Sequence, residues 1–284
     1  MYRHFFVIDL VGQGERAFPF IEHLVTNSAY RKDILLSLLI LKETAYPHLI
    51  FLLKNDALRK SVVADLVSTV GDVNGFMAHL LQQEEWRDII LSDLAELGNA
   101  AIPLLRNLLG LPVGLDIIDG LADLGEKGSD LLLSLMKSDP QKVFDRLRGT
   151  GKMTNVFVLK VLADGNLPLN VRQGCAKELK KMTGPESDDL IQMLTSSYQQ
   201  ISGKGSLATI AELNDITLLI NTIAEQRLLK AETLFIKMLN DLSLSIDVRV
   251  LILHKIKNAA MFPTAVEQLK RFMRLEPTTK KASG

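Results

Sequence analysis

Leu94-Ala95-Glu96-Leu97-Gly98-Asn99-Ala100-Ala101-Ile102-Pro103-Leu104-Leu105 reads as the end of one helix, a glycine break and the start of another. The same rhythm flanks it in Leu66-Val67-Ser68-Thr69-Val70-Gly71 and in Leu121-Ala122-Asp123-Leu124-Gly125. Gly71, Gly98 and Gly125 stand 27 residues apart. A fixed period of that length marks one small supersecondary unit, repeated and stacked.

Aligned on the glycines, three units run from about 57 to 83, 84 to 110 and 111 to 137. One unit earlier, 30 to 56, the frame places Thr44 in the glycine slot. Four residues before the slot come Ile40, Val67, Leu94 and Leu121; eight before it come Leu36, Val63, Ile90 and Ile117. Six and seven after it stand Ile50 and Phe51, Met77 and Ala78, Leu104 and Leu105, Leu131 and Leu132. These offsets lay an apolar stripe along an amphipathic helix on either side of the break. Glycine enters the left-handed conformation that ends a helix without a Cβ penalty. Asp72 and Asn99 follow as caps for the second helix, and Ser129 is the candidate start in the third unit. Pro47 and Pro103 fall in the opening turn, where a missing amide hydrogen costs little. Helices of roughly 15–20 Å are too short to stand alone, so stacking must stabilise them.

Regularity ends at Ser138-Asp139-Pro140, and Gly149, Thr150 and Gly151 read as opening a loop. Helical runs follow at 154–164, 170–183, 186–200, 207–225, 228–241, 246–258 and 263–275, with Gly184-Pro185 between the second and third. Gly184 lies 59 residues beyond Gly125, more than two periods, so an insertion is assigned to the 149–154 loop. Residues 5–11 form the only strand-like window. The expected organisation is a single body over 1–275. It comprises a capping hairpin at 1–29, regular repeats at 30–137 and irregular repeats at 138–275. Joints are expected at 149–154 and 201–206, and a disordered tail at 276–284.

The chain has 284 residues, 47% of them hydrophobic, which is ample for a core and excludes a disordered chain. Its 33 basic and 33 acidic residues balance, which argues against nucleic acid or anionic membrane as a general electrostatic partner. The apolar start is interrupted by Asp9 and lacks a small-residue cleavage site, and no apolar run is long enough for a membrane span. The single Cys175 cannot form an intramolecular disulfide, so a reducing compartment, the cytoplasm, is the expected address.

The repeated hairpins resemble the HEAT-repeat family, especially its compact bacterial kind named after phycobilisome lyases. The resemblance is strongest over 30–137, in residues 94–105 and their counterparts. The Asp-x-x-Val-Arg opening typical of such units is approached only by Ile246-Asp247-Val248-Arg249-Val250 and Leu169-Asn170-Val171-Arg172. The resemblance implies an all-α fold, a right-handed α-α superhelix, or HEAT/armadillo-like solenoid, of about six or seven hairpins. It also implies a concave face lined by the second helices, where a segment of another protein docks. His79, Gln83, Arg106 and Lys137 lie outside the core offsets and would form a polar ladder across that face. On this reading the chain is a non-enzymatic scaffold with no cofactor and no metal. Members of the family also attach or remove bilin chromophores, and others grip DNA with a basic concave face and excise alkylated bases. One Trp and 6% aromatic residues argue against the DNA activity.

Other candidate chemistry is thin. Gly12-Gln13-Gly14-Glu15-Arg16-Ala17 fits the loose G-x-G-x-x-A dinucleotide pattern, which needs a strand before it and a helix after it. Pro19 and the helical 32–41 segment make it the break of the first hairpin instead. In Gly149-Thr150-Gly151-Lys152-Met153-Thr154, Arg146 and Met153 stand where a phosphate loop needs glycine and a hydroxyl. Gly203-Lys204-Gly205-Ser206 fails similarly, and both read as flexible joints. Lys142, Arg146, Arg148 and Lys152 make a basic cluster with Phe144 as its sole aromatic, a solvated face or the contact of an acidic partner. His4, His23, His48, His79 and His254 show no metal-ligand spacing. Cys175 reads as a small core residue and Trp86 as an anchor between adjacent units.

Overall fold

Asn27 and Asn55, 28 residues apart, each cap a helix by accepting a hydrogen bond from the amide two residues on (Ala29, 3.0 Å; Ala57, 3.1 Å). Such a cap satisfies one of the amides that a helix start leaves without a partner. A computed structural model describes residues 2–69, 73–180, 185–204 and 207–258. Gly71, Asp72, Gly184, the 205–206 end of the second joint, the 263–275 helix and the 276–284 tail lie outside the described residues. Among the described residues every regular element is helical, and the 5–11 window lies inside a helix. Chain contacts separate two compact units, Met1–Met153 and Thr154–Gly284.

The first unit runs α1 (Tyr2–Gly12), α2 (Phe18–Thr26), α3 (Ser28–Ile40), α4 (Tyr46–Lys54), α5 (Asp56–Val67) and α6 (Val73–Leu81). It continues with α7 (Glu84–Leu97), α8 (Ile102–Leu109), α9 (Gly114–Asp123), α10 (Glu126–Ser138) and α11 (Pro140–Thr150). First helices pack on first helices, α1 on α3, α3 on α5, α5 on α7 and α7 on α9. Second helices do the same for α2 on α4, α6 on α8 and α8 on α10. Each helix therefore buries its stripe against its counterpart in the neighbouring hairpin, as short helices must.

The breaks are left-handed at Gly14 (φ 62°), Lys42 (φ 51°), Gly98 (φ 55°) and Gly125 (φ 61°). The slot expected at Thr44 is thus two residues earlier, at Lys42. Four and eight residues before it lie Leu38 and Ile34, 0% and 3% exposed, whereas Ile40 is 56% exposed. On α5 the fully buried residues include Val62 and Leu66, while Val67 is half-buried. The true period is 28 over the first four hairpins, seen in Gly14 and Lys42, Pro19 and Pro47, and the N-caps Asn27, Asn55 and Gln83. It shortens to 27 only between Gly98 and Gly125.

Gly14, Lys42 and Gly98 each open a 3-10 turn, and the helix beyond carries Pro19, Pro47 or Pro103 in its first turn. Asn99 sits inside such a turn and does not cap α8, whose N-cap is Ala101. Gly125 leads straight into α10, so Ser129 lies within the helix and its hydroxyl donates to the Glu126 carbonyl (2.8 Å).

The largest departure is α11. Asp139 caps it by accepting from the Lys142 amide (3.2 Å), Pro140 occupies the first turn, and Gly151 (φ 67°) ends it. The supposed insertion loop is an added helix, with Gly149 and Thr150 in its last turn. Only Val143, Phe144 and Leu147 are buried on it, too few to stand out against its charged residues.

Two further features repeat at 28. Arg31 donates to Asp65 (2.5 Å) and Arg59 to Asp93 (2.9 Å), each linking one first helix to the next. Arg87 continues the series, but Leu121 stands where a third carboxylate would be, and its Nε donates to the Leu81 carbonyl instead (3.0 Å). Phe18 packs on His48 and Phe51 (4.9 and 4.5 Å between centroids), and Tyr46 packs on Phe76 and His79 (both 5.1 Å).

The second unit comprises α12 (Asn155–Ala163), α13 (Leu169–Lys177), α14 (Pro185–Ile201), α15 (Ile210–Glu225), α16 (Glu232–Asn240) and α17 (Ile246–Asn258). Here α14 packs on α12 and α15, and α15 also packs on α13 and α17. Arg172 is buried and donates to Asp215 (2.5 Å) and to the Leu162 carbonyl (2.7 Å). Residues 201–204 form a tied corner. Tyr198 and Ser202 both donate to Asp241 Oδ2 (2.8 Å), the Ser243 hydroxyl donates to Oδ1 (2.6 Å), and the Gly203 amide donates to Ser243 (2.8 Å). The Ser243 hydroxyl, helped by Ser202 and Tyr198, holds the Asp241 carboxyl down at about 2. A capping box of Thr209 and Glu212 starts α15.

Candidate functional site

The four residues expected on a polar ladder are placed differently from one another. His79 lies in the last turn of α6, Arg106 in the last turn of α8 and Lys137 in the last turn of α10. All three are exposed. Because α6 packs on α8 and α8 on α10, they stand on three consecutive helices. Gln83 is not on a second helix. It is the half-buried N-cap of α7, and its amide donates to His79 Nε2 (3.0 Å) and to the His79 carbonyl (3.3 Å). It therefore braces His79 rather than adding a rung.

Each of the first five second helices carries a basic residue in its last turn, with His23 on α2 and Lys54 on α4 completing the set. All five side chains are exposed. A cation in the last turn complements the negative end of the helix dipole, so part of this pattern is local helix stabilisation. What the row adds is a lysine, arginine or imidazole repeated on successive second helices, with positive charge at Lys54, Arg106 and Lys137. Tyr46, first residue of α4, joins it by packing on His79. The sequence signal for Tyr46 is Phe18, another aromatic one 28-residue repeat earlier.

The 142–152 basic cluster is engaged within the fold. Lys142 donates to the Leu109 carbonyl (2.5 Å), Arg146 Nε donates to both oxygens of Asp119 (3.0 Å each), and Lys152 donates to Asp123 (2.6 Å). The Arg148 guanidinium lies 6.0 Å from the Phe144 ring centre. These contacts tie α11 and the loop after it to α8 and α9.

The remaining candidates resolve as structural features. Helix α1 precedes Gly12–Ala17, so the strand that a dinucleotide fingerprint requires is replaced by a helix. Helix α11 likewise precedes Gly151-Lys152. His48 is buried and its Nε2 donates to the Gly14 carbonyl (3.2 Å); burial lowers its pKa. Cys175 is buried on α13, and burial pushes its thiol up to about 12, far from a reactive thiolate. Trp86 is buried on α7. Among the described residues no group of three or more His, Cys, Asp or Glu is placed to hold a metal ion. Among them, too, no helix is long and apolar enough to cross a membrane.

Comparison with known protein families, curated proteins and solved structures finds no match to this chain.

Proposed function

We propose that this chain is a non-enzymatic interaction scaffold of HEAT/armadillo-like build, a right-handed α-α superhelix that holds a segment of a partner protein along its second helices. The packing of first helix on first helix and second on second within residues 2–153 supports that architecture. The observation that carries the binding role is the row of exposed basic residues, His79, Arg106 and Lys137, on consecutively packed α6, α8 and α10. Neighbouring helix axes lie about 8–10 Å apart, and an extended chain rises about 3.3 Å per residue. Successive rungs would then meet roughly every third residue of an extended partner. Carboxylate-bearing segments suit the charge of the row, and its exposure makes the attraction weaken with salt. The buried, unreactive Cys175 is consistent with a cytoplasmic address.

The test compares the native chain with a variant carrying His79→Glu, Arg106→Glu and Lys137→Glu, matched for helicity by circular dichroism. Native chain, used as bait in lysate, should retain a protein through an acidic segment, and the variant should lose it. Equal retention by both would remove the row as the binding surface.

A further inference from the structure

The second unit holds a cavity of about 430 Å³ between α12, α13, α14 and α15. That is within the range of small binding sites. One wall is a single face of α14, where Asp189, Gln192, Ser196 and Gln200 recur at spacings of three and four and are all exposed. The facing wall includes Arg172 and Asp215. Their charges answer one another at 2.5 Å, and the other arm of the guanidinium is held by the Leu162 carbonyl. Among the described residues no cation pairs with Asp189. The cavity therefore carries one unmatched negative charge, flanked by amides and a hydroxyl that can both donate and accept.

This combination selects a ligand class. An anion would meet Asp189 uncompensated, because the Arg172 charge is already matched by Asp215. An apolar ligand would strip water from four hydrogen-bonding side chains without replacing it. A cation with hydrogen-bonding groups beside it satisfies both walls. From Asp189 to Gln200 the α14 face covers about 16 Å, the length of about five residues of extended chain. We propose that this cavity binds an extended polypeptide segment bearing a lysine or arginine. Asp189, at one end of the face, receives the cationic side chain, and Gln192, Ser196 and Gln200 pair with the backbone that runs from it along α14. The site is independent of the basic row in the first unit and would select segments of opposite charge.

The experiment titrates the full, isotope-labelled 284-residue chain with four blocked pentapeptides and follows backbone and side-chain amide NMR signals. The peptides are Gly-Ser-X-Ser-Gly with X as arginine, lysine, glutamate or leucine. The arginine and lysine peptides should give saturable shifts confined to 186–200 and to the surroundings of Ala163 and Arg172. The glutamate and leucine peptides should bind about tenfold more weakly, the scale of one charge-assisted hydrogen bond. Asp189→Asn, an isosteric change at an exposed position, should bring the basic peptides down to the level of the leucine peptide. Equal affinity of all four peptides for this cavity, shifts by the basic peptides elsewhere, no saturable shift by the basic peptides, or undiminished binding by the Asp189 variant would each overturn the proposal.

Discussion

In the first unit Arg31 reaches Asp65 and Arg59 reaches Asp93, both across 34 residues. In the second, Arg172 reaches Asp215 and Tyr198 reaches Asp241, both across 43. Each of these contacts skips one intervening helix, so the offset reports how much chain a unit uses to return alongside itself. The 28-residue hairpins give the short offset, repeated with the same residue types. Helices α14 and α15, with 17 and 16 residues, give the long one, and the partners change from one contact to the next. Regular hairpin length lets one solution be copied. Irregular length forces each junction to be solved separately, and more of the stabilisation then rests on single buried groups.

That contrast can be broken by mutation. Arg172→Ala should have the largest effect, lowering stability by about 3 kcal/mol, because it leaves Asp215 and a buried carbonyl without their donor. Urea unfolding gives the magnitude. Hydrogen exchange should show lost protection in α12 to α15 and unchanged protection in α3 to α7. An effect spread evenly over both units would contradict the reading of the second as locally braced.

Asp93→Ala should cost about 2 kcal/mol, less because Arg59 keeps Asp56 as a partner. Asp65→Ala should cost less again, since Asp65 is three times as exposed as Asp93 (15% against 5%). Double-mutant cycles on the two Arg–Asp pairs test whether they are energetic copies. A coupling at one pair and none at the other would show that the repeat is geometric only.

Acid should weaken the second unit through Asp241. The Asp241 carboxyl is held at about 2, below its unfolded value near 4, so its contribution is complete above about pH 4 and lost as pH falls towards 2. Urea midpoints at pH 6 and pH 3 should differ less for Asp241→Asn than for the native chain. An equal fall in both would exclude Asp241 as a source of acid sensitivity.

The smallest effect separates the two repeat frames. Lys42→Gly should stabilise by about 0.5 kcal/mol, since glycine takes the left-handed break without a Cβ clash. Thr44→Gly should destabilise, because Thr44 lies in the turn with its hydroxyl bonded to the Leu41 carbonyl. The opposite pair of signs would restore the 27-residue frame.

Much of the first unit was legible. The glycine breaks, the prolines after them and the apolar offsets located its hairpins to within a few residues. The frame slipped where a lysine occupies a position read as glycine-specific, because packing on both sides holds a backbone that lysine alone disfavours. Helix α11 was missed for the opposite reason, since its local charge pattern hides a three-residue apolar contact. On the candidate surface, His79, Arg106 and Lys137 followed from their distance from the core positions. Gln83 did not, because the helix ended at Leu81. Arg31, Arg59 and Arg87, regularly spaced with Asp65 and Asp93, were visible as a second periodic signal and went unread.

By itself the amino-acid sequence determined that this chain is helical and where most of its helices break. Those choices are made by residues within one or two turns of each other, through apolar spacing, caps, glycine and proline. Only the tertiary structure decided which carboxylate each arginine meets, that the 142–152 cations are engaged internally, and that Arg172 and α14 wall a cavity. Those outcomes depend on the register of helices tens of residues apart, which no local pattern encodes.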